Sequence, residues 1–380
     1  MERYTVVKVI GDGTYGTVCK GVVKDTGEPV AIKKMKKKFF SWEECLELRE
    51  IKSLRKFTHP NIIKLKEVVR ANDDLYLIFE YLPQNIVQMT RDRPIEEDEI
   101  KSLTHQTLKG LSYMHKSGYY HRDLKPDNLM VDSGTCKIID FGLAREIRSR
   151  PPYTDYVSTR WYRAPEVLLH STTYSWPIDI FAIGCIVAEL YLRRPLFPGT
   201  SEADQIGKLC SVLGTPQSGD WSDGYRLAGL LGYSFPQFAP TSLSLLIPNA
   251  SAEAIDFMTQ TLQWDPIKRP SADQCLLHAF FARPNAGPRL MVPDGHLRAL
   301  SGSPRLSPGP MEPLPPPPLE SMLGRTIPRS LAPNPSLPSL SIFRDTERTQ
   351  QGRGGLGQYG AALLGRNTQG PVGQGRYRFS

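Results

Sequence analysis

The sequence of 380 residues lacks several features that mark large classes of proteins. Its longest apolar stretch, residues 180–192, is interrupted by Gly184 and Glu189 and is shorter than the roughly 20 residues of a membrane-spanning helix. Residues 1–10 contain no long apolar core, so we expect neither a secretory signal nor membrane insertion. The six cysteines form no CxxC pair, which favours reduced thiols in a cytosolic or nuclear protein.

Lysine is absent from the last quarter of the chain, although the formal net charge is +8. From Arg283 onward there are twelve arginines and five acidic residues, whereas the preceding part has thirty-five basic and thirty-four acidic residues. Sixteen of the 33 prolines also follow Arg283. We predict a disordered Pro/Gly/Arg-rich tail over residues 282–380. The charge therefore does not favour a nucleic-acid partner. The alternative is a basic nucleic-acid-binding protein, which would be supported by a salt-dependent affinity for nucleic acid carried by residues 283–380 alone.

The part before the tail has the pattern of a folded domain. Alternating apolar residues predict strands at residues 5–10, 30–33 and 75–79, and residues 42–54 read as one amphipathic helix. After about residue 94 the apolar spacing becomes helical. This order predicts an α+β, two-lobed domain over residues 4–281. The smaller, β-rich lobe would cover about residues 4–82 and the larger helical lobe about residues 83–281.

A glycine-rich turn, GDGTYG, begins at Gly11 between two predicted strands. Glycine lets backbone amides approach a phosphate closely, so the turn could form a lid over a nucleotide. A dinucleotide-binding fingerprint would open a helix instead, which disfavours that interpretation. A glycine-rich hairpin without a ligand remains an equally good interpretation of this motif alone.

Lys33 lies inside an apolar strand. Because a buried lysine is costly without a partner, we predict an ion pair with Glu50 that holds Lys33 toward nucleotide phosphates. The alternatives are an exposed lysine on an edge strand and a nuclear-localisation patch formed by the lysines of residues 33–38.

Two further motifs carry more specific chemistry. HRDLKPDN contains Asp123, Lys125 and Asn128, and DFG begins at Asp140. Asp123 can accept the proton of a hydroxyl, Lys125 can face a phosphoryl group, and the oxygens of Asn128 and Asp140 suit magnesium. These are the parts that phosphoryl transfer requires, and together with Lys33 they predict a phosphotransferase that uses ATP and Mg²⁺.

The complete set resembles the signature of eukaryotic protein kinases over residues 4–281. The resemblance implies that Asp123 is the catalytic base, that Lys125 steadies the phosphoryl group, and that Asn128 and Asp140 hold the metal. The implied ATP-binding residues are Ile10, Gly11, Asp12, Gly13, Thr14, Tyr15, Gly16, Val18, Ala31, Lys33, Glu50, Phe79, Glu80 and Leu82.

The resemblance also implies two scaffold roles. Asp179 matches the buried aspartate that anchors the catalytic-loop backbone in this family, and Arg269 matches the arginine that pairs with Glu166.

A Thr-x-Tyr sequence, Thr154 and Tyr156, resembles the dually phosphorylated loop of mitogen-activated kinases, whereas cyclin-dependent kinases usually carry only the threonine. Phosphates seek arginine because its planar fork binds them bidentately. The phosphate-receiving positions implied by the resemblance are Arg49, Arg122 and Arg145 for Thr154, and Arg160 and Arg163 for Tyr156.

The wider sequence resembles the male germ cell-associated and intestinal cell kinases of the CMGC group. That subfamily implies proline-directed serine/threonine phosphorylation, an upstream activating kinase, and a role in ciliary length and intraflagellar transport. We therefore expect protein substrates with Ser/Thr-Pro sites and a cytoplasmic and nuclear location that extends to the cilium. The alternatives are a pseudokinase scaffold and a mitogen-activated or cyclin-dependent-like kinase with non-ciliary substrates. The prolines of residues 315–318 could dock a proline-binding module.

Overall fold

The computed structural model describes residues 1–13, 15–149, 159–282 and 375–378, all of which belong to one compact unit. Its N-terminal lobe is built on antiparallel strands in the spatial order β1-β2-β3-β5-β4. The strands are β1 (Tyr4–Asp12), β2 (Gly16–Val23), β3 (Pro29–Lys38), β4 (Leu65–Ala71) and β5 (Asp74–Glu80). The three predicted strands lie within β1, β3 and β5.

The helical segment of this lobe differs from the prediction. Residues 42–54 form two helices, α1 (Trp42–Leu46) and α2 (Arg49–Leu54), instead of one. The break falls at Leu48, whose ψ of 127° is extended and incompatible with a continuous helix. The apolar stripe continues across the break because Leu46 and Leu48 both pack against the core, so periodicity alone does not reveal it.

The C-terminal lobe is mainly helical, and its described residues also form a small three-stranded sheet and a strand pair. Its strands are β6 (Gln84–Asn85), β7 (Tyr119–Tyr120), β8 (Leu129–Asp132), β9 (Thr135–Ile138) and β10 (Arg145–Glu146). Its helices are α3 (Ile86–Asp92), α4 (Glu97–Lys116), α5 (Pro165–Leu168), α6 (Pro177–Leu192), α7 (Glu202–Leu213), α8 (Ser222–Leu230), α9 (Leu243–Leu246), α10 (Ala252–Thr261) and α11 (Ala272–Leu276). The β-rich first part and the helical second part confirm the predicted α+β, two-lobed class.

Two helices illustrate why the larger lobe folds this way. The apolar residues of α4 recur every three or four positions, and that face is buried, whereas its other face carries charge. Helix α6 is apolar on nearly all sides and lies in the centre of the lobe. No helix in the described ranges is long and apolar enough to cross a membrane.

One strand comes from the region predicted to be disordered. Residues Gly375–Arg378 form β11, which pairs antiparallel with β4 and extends the N-lobe sheet to six strands. These four residues therefore form a strand inside the segment for which the composition predicts disorder. Strand pairing is a non-local interaction, and a four-residue segment within Pro/Gly-rich sequence carries no periodicity that would announce it.

Candidate active site

The glycine-rich turn joins β1 to β2 as a hairpin, as the sequence predicts. Gly11 and Asp12 pair with Val18 and Thr17, and the amide of Gly13 donates to the carbonyl of Gly16 over 3.0 Å. A Cβ on Gly16 would lie 2.6 Å from the carbonyl oxygen of Lys34, so only glycine lets β2 and β3 approach this closely. The end of the hairpin at Gly16 therefore lies beside Lys33, because a Cβ on Gly16 would be 3.4 Å from the Cγ of that lysine.

Lys33 in β3 is the centre of a buried charge cluster. Its Nζ lies 2.9 and 2.8 Å from the two carboxylate oxygens of Glu50 in α2, and 3.4 Å from Oδ1 of Asp140. Lys33 is 9% exposed and Glu50 is 3% exposed. The ion pair predicted between Lys33 and Glu50 is thus present, and Asp140 is part of the same cluster.

The pKa values of this cluster follow from burial opposed by the neighbouring charges. Burial alone lowers the pKa of Lys33, but Glu50 and Asp140 outweigh it and raise the pKa to about 12. Burial raises the pKa of Glu50, an effect that Lys33 opposes. Burial also acts to raise the pKa of Asp140, yet Lys33 and His121 hold it below its ordinary range. Lys33 is therefore a fixed cation and Asp140 an anion at neutral pH.

The catalytic-loop motif forms a second cluster. Lys125 Nζ lies 2.9 Å from Oδ2 of Asp123, and Asn128 Nδ2 donates to the carbonyl of Asp123 at 2.8 Å and to the same Oδ2 at 3.2 Å. A 3₁₀ turn at Pro126–Asn128 brings Asn128 back toward Asp123. The two donors fix the orientation of the Asp123 carboxylate, as a general base requires.

A side chain of α6 binds the backbone of this loop. Asp179 accepts from the amides of His121 and Arg122 at 2.8 and 2.9 Å, and it contacts His115 Nε2 at 3.0 Å. Arg122 has a φ of 77°, a conformation that non-glycine residues rarely adopt. Asp179 thus anchors the loop as predicted, and His115 is a contact that the sequence did not indicate.

The two clusters are joined through the DFG motif. His121 Nε2 lies 2.9 Å from the carbonyl of Ile139, and its ring packs edge-on against Phe141 at 5.2 Å between centroids. Phe141 is fully buried, and its 3₁₀ turn packs beneath α2. Asp140 has a left-handed φ of 61°, which turns its carboxylate into the cleft toward Lys33. The backbone strain at Asp140 therefore serves the placement of its side chain.

The predicted adenine-side residues lie along β3, β5 and the segment after it. Ala31 pairs with Phe79 across the sheet, and both Phe79 and Leu82 are buried. The side chain of Glu80 points elsewhere, because its carboxylate lies 2.8 Å from Nζ of Lys137 in β9. Glu80 can therefore offer a nucleotide only its backbone. Its ion pair with Lys137 links the two lobes and was not predicted, since nothing in the spacing of two residues 57 apart marks them as partners.

Three of the predicted phosphate-receiving arginines lie together. The pKa of Arg49 is lowered by burial and by the positive charges of Arg145 and Arg122. The three guanidinium groups are therefore close enough for their charges to influence one another. Thr154 and Tyr156 lie outside the described residues, as does Thr14 of the glycine-rich turn.

The other two predicted arginines contact the segment that leads into α7. Arg160 donates to the carbonyl of Thr200 at 3.1 Å, and Arg163 lies 3.3 Å from the carboxylate of Glu202. Arg269 forms a bidentate pair with Glu166, with both N–O distances at 2.7 Å, as predicted. That pair is buried and ties α5 to the end of the domain.

The residues present fit ATP and Mg²⁺. The contacts of Asp140 with Lys33 and with the amide of Gly142 use Oδ1, and those of Asn128 use its amide nitrogen, which leaves Oδ2 of Asp140 and Oδ1 of Asn128 for a cation. These are hard oxygen ligands of the type that magnesium prefers. Lys33 is the ammonium group that fits a phosphate beside these oxygens.

With the geometry established, comparison with known proteins identifies the family. The protein kinase domain matches residues 4–281 of this chain. The chain belongs to the protein kinase family. Within the described part, the lysine of the kinase domain contacts the DFG aspartate, and its catalytic-loop aspartate contacts Lys125.

Curated relatives place the kinase within a branch of the family. It is 58% identical to serine/threonine-protein kinase MAK of Mus musculus over 284 residues, 74% of this chain and 46% of that protein. It is also 58% identical to serine/threonine-protein kinase ICK of Mus musculus over 284 residues, 74% of this chain and 45% of that protein. Cyclin-dependent kinase F-3 of Oryza sativa is 55% identical over 76% of this chain and 67% of its own length. The chain spans about half the length of MAK and ICK, and the predicted resemblance to them is confirmed.

Proposed function

We propose that this chain is a protein serine/threonine kinase that uses ATP and Mg²⁺. One observation carries the proposal: Lys33 contacts both Glu50 and Asp140, Asp123 is oriented by Lys125 and Asn128, and the amide of Ile139, next to Asp140, donates to the carbonyl of Asn128. A pseudokinase scaffold is the competing function. The complete set of charged groups speaks against it, because a protein that acts only by binding has no need of an oriented base.

The reaction assigns each residue a physical task. Lys33, positioned by Glu50, binds the phosphates of ATP, and Lys125 lies beside Asp123 where it can contact the transferred phosphoryl group. The substrate hydroxyl oxygen forms a bond to the γ-phosphorus, the bond from that phosphorus to the leaving ADP oxygen breaks, and Asp123 accepts the hydroxyl proton. Mg²⁺, held by Asn128 and Asp140, would neutralise phosphate charge.

The regulation we propose is phosphorylation of Thr154 and Tyr156. The proximity of Arg49, Arg122 and Arg145 supports it, because a phosphothreonine adds nearly two negative charges at neutral pH and arginine binds phosphate bidentately. Burial of part of this cluster strengthens the attraction relative to an exposed site.

The finer specificity and cellular role rest on the resemblance to the male germ cell-associated and intestinal cell kinases. We propose proline-directed phosphorylation of protein Ser/Thr-Pro sites, activation by an upstream kinase, and action on ciliary length and intraflagellar transport. The proposed locations are the cytoplasm, the nucleus and the cilium. A proline-binding module remains the proposed partner of residues 315–318.

A peptide assay tests the activity and its specificity together. The full chain is incubated with labelled ATP, Mg²⁺ and an arginine-containing peptide with one Ser-Pro site, and with a matched Ser-Ala peptide. We expect transfer to the Ser-Pro peptide, a rate lower by about 10² to 10⁴ for Asp123→Asn, and little transfer for Thr154→Ala. No transfer by protein that mass spectrometry shows to be phosphorylated at Thr154 would establish the scaffold instead. Equal transfer to both peptides would remove proline direction alone.

The ciliary role needs a cellular measurement. Ciliated cells expressing the chain are compared with cells expressing Asp123→Asn at the same level. We expect shorter cilia only with the active chain. Unchanged ciliary length with an enzyme that is active in the peptide assay would favour a kinase with non-ciliary substrates.

A further inference from the structure

The N-lobe sheet carries an additional strand at its β4 edge. An edge strand presents unpaired N–H and C=O groups, which makes it a template for another extended segment. Here β11 occupies that edge in antiparallel register, with Gly375 opposite Arg70, Tyr377 opposite Val68, and Arg378 opposite Glu67. The occupant of the edge is therefore a segment of this same chain.

Alternation along the strand directs two side chains to opposite faces of the sheet. Tyr377 lies on the face that carries α1, where its ring meets Trp42 edge-on with centroids 5.2 Å apart and planes at 68°. Arg376 lies on the other face, 3.9 Å from the carboxylate of Glu2. Tyr377 is 46% exposed, so the ring is about half covered. The segment is thus recognised by its backbone, by an aromatic contact and by a charge contact.

The residues that β11 contacts are connected to the helices that position Glu50 beside Lys33. Trp42 is the first residue of α1, which packs on the main core and is followed by α2 with Glu50. Arg70 of β4, the partner of Gly375, donates to the carbonyls of Phe39 and Phe40 at 2.7 Å each and so braces the turn before α1. The short strand β11 therefore pairs with β4 at Arg70, which braces the turn before α1, and contacts α1 itself through Trp42.

We propose that Gly375–Arg378 is an intramolecular docking strand that binds the β4 edge and Trp42 and thereby holds α1 and α2 in the position that presents Glu50 to Lys33. The connection is long enough. Residues 283–374 comprise 92 residues, and a chain of that length can span at most about 300 Å, far more than the roughly 19 Å radius of gyration of a domain of this size. Tethering keeps the local concentration of the strand high despite its few contacts.

Hydrogen exchange tests the docking without reference to activity. Amides of β4 and α1 are followed by mass spectrometry in the full chain, in a chain lacking residues 375–380, and in Tyr377→Ala. We expect at least tenfold faster exchange of β4 amides in the deletion and a smaller increase in Tyr377→Ala. Tyr377→Phe keeps the ring, so its β4 exchange should match that of the wild type. Tyr359→Ala removes a tail tyrosine outside the strand, and its β4 exchange should also match that of the wild type. Equal β4 exchange in the full chain and the deletion would overturn the proposal.

Two further measurements separate the remaining outcomes. The protection of β4 should not change with protein concentration, and light scattering should show a monomer; protection that appears only with dimers would overturn the intramolecular assignment. A synthetic peptide of residues 371–380 should restore protection to the deletion, whereas a scrambled peptide should not, and a peptide without effect would count against recognition of this sequence.

The effect on catalysis rests on the proposed kinase function. We expect kcat/KM to fall about three- to tenfold in the deletion and in Tyr377→Ala, and to be restored in Tyr377→Phe. Altered exchange with unchanged kcat/KM would overturn the link to Glu50. Altered exchange in a chain that transfers no phosphate in any form would contradict the proposed function and leave the docking strand established.

Discussion

The Lys33 ammonium and the Glu50 carboxylate are both buried, and removing these two charges from water costs free energy. A buried charge is stable only with its partner, because transfer out of water is costly and the partner must offset that cost. Glu50 lies in α2, Lys33 in β3, and the pair is therefore also a tether between helix and sheet. Removing either charge should affect stability as well as catalysis.

We predict that Lys33→Met makes the stability of the fold depend on pH. Loss of the ammonium leaves Glu50 buried and removes the main influence that lowers its pKa, so the folded-state pKa rises further above 4.5. A raised pKa in an acid means that stability is greatest below the unfolded pKa and is lost as pH rises toward the folded pKa. The free energy of unfolding in urea should thus fall between pH 5 and pH 8, and at pH 8 should be about 3 kcal/mol below wild type.

The double variant Lys33→Met/Glu50→Gln is the matched control, since it lacks the Glu50 carboxylate but keeps Asp140, as the single variant does. Its unfolding free energy should depend less on pH over the same range. A slope as steep as that of Lys33→Met would assign the pH dependence to another group.

Among the helices and strands, α6 anchors the catalytic loop through the side chain of Asp179. The two amide contacts of Asp179 hold Arg122 at its left-handed φ of 77°. Burial acts to raise the pKa of Asp179, but the contact with His115 and the amides more than offset it, so the carboxylate is ionised at neutral pH. Asp179 contacts the loop backbone and is a positioning residue.

Asp179→Asn should therefore lower kcat with little change in the KM for ATP. The amide can accept with only one atom, so one loop amide loses its partner and the strained backbone relaxes, displacing Asp123. A displacement of about 1 Å costs on the order of 10²-fold in rate. Steady-state kinetics with a Ser-Pro peptide measures the split between the two constants.

Asp273→Asn provides a control of the same chemistry. Asp273 also contacts α4, through Ser112 and Lys116 at 2.7 Å each, and among the described residues it has no hydrogen bond or ion pair with the catalytic loop. Its kcat should stay within twofold of wild type. Equal losses of kcat in both variants would point to a general effect on the lobe rather than to the loop.

The sequence predicts the elements and site residues whose signals are local. The strand that contains Lys33, the order of lobes and the motifs around Asp123 and Asp140 all depend on short spacing and could be read directly. The break between α1 and α2 could not, because Leu48 is apolar and continues the helical stripe through an extended backbone. β11 could not be foreseen either, since its pairing with β4 joins segments about 300 residues apart.

At the scale of the whole molecule, the lobes are joined by contacts between β9 and the N-terminal lobe. The amide of Ile63 donates to the carbonyl of Ile138 at 3.0 Å, and the amide of Ile138 donates to the carbonyl of Asn61 at 2.9 Å. The pair between Lys137 and Glu80 lies beside these bonds, and its side chains are 18% and 24% exposed. Partial burial leaves such a pair less screened by salt than a surface pair.

We predict that Lys137→Met raises the KM for ATP about fivefold while kcat changes little. The pair contributes about 1 kcal/mol to the closed arrangement of the lobes, and that energy corresponds to a fivefold change in affinity.

Lys66→Met is the matched control, because Lys66 pairs with Glu28 inside one lobe and its loss removes the same kind of charge contact without crossing the cleft. KM values for the two variants, measured at 0.05 M and 0.5 M salt, distinguish the explanations. A KM that rises only in Lys137→Met, at both salt concentrations, means that the contact between lobes controls nucleotide affinity. A rise shared by Lys66→Met would instead assign the effect to the loss of one positive charge and not to the contact between the lobes.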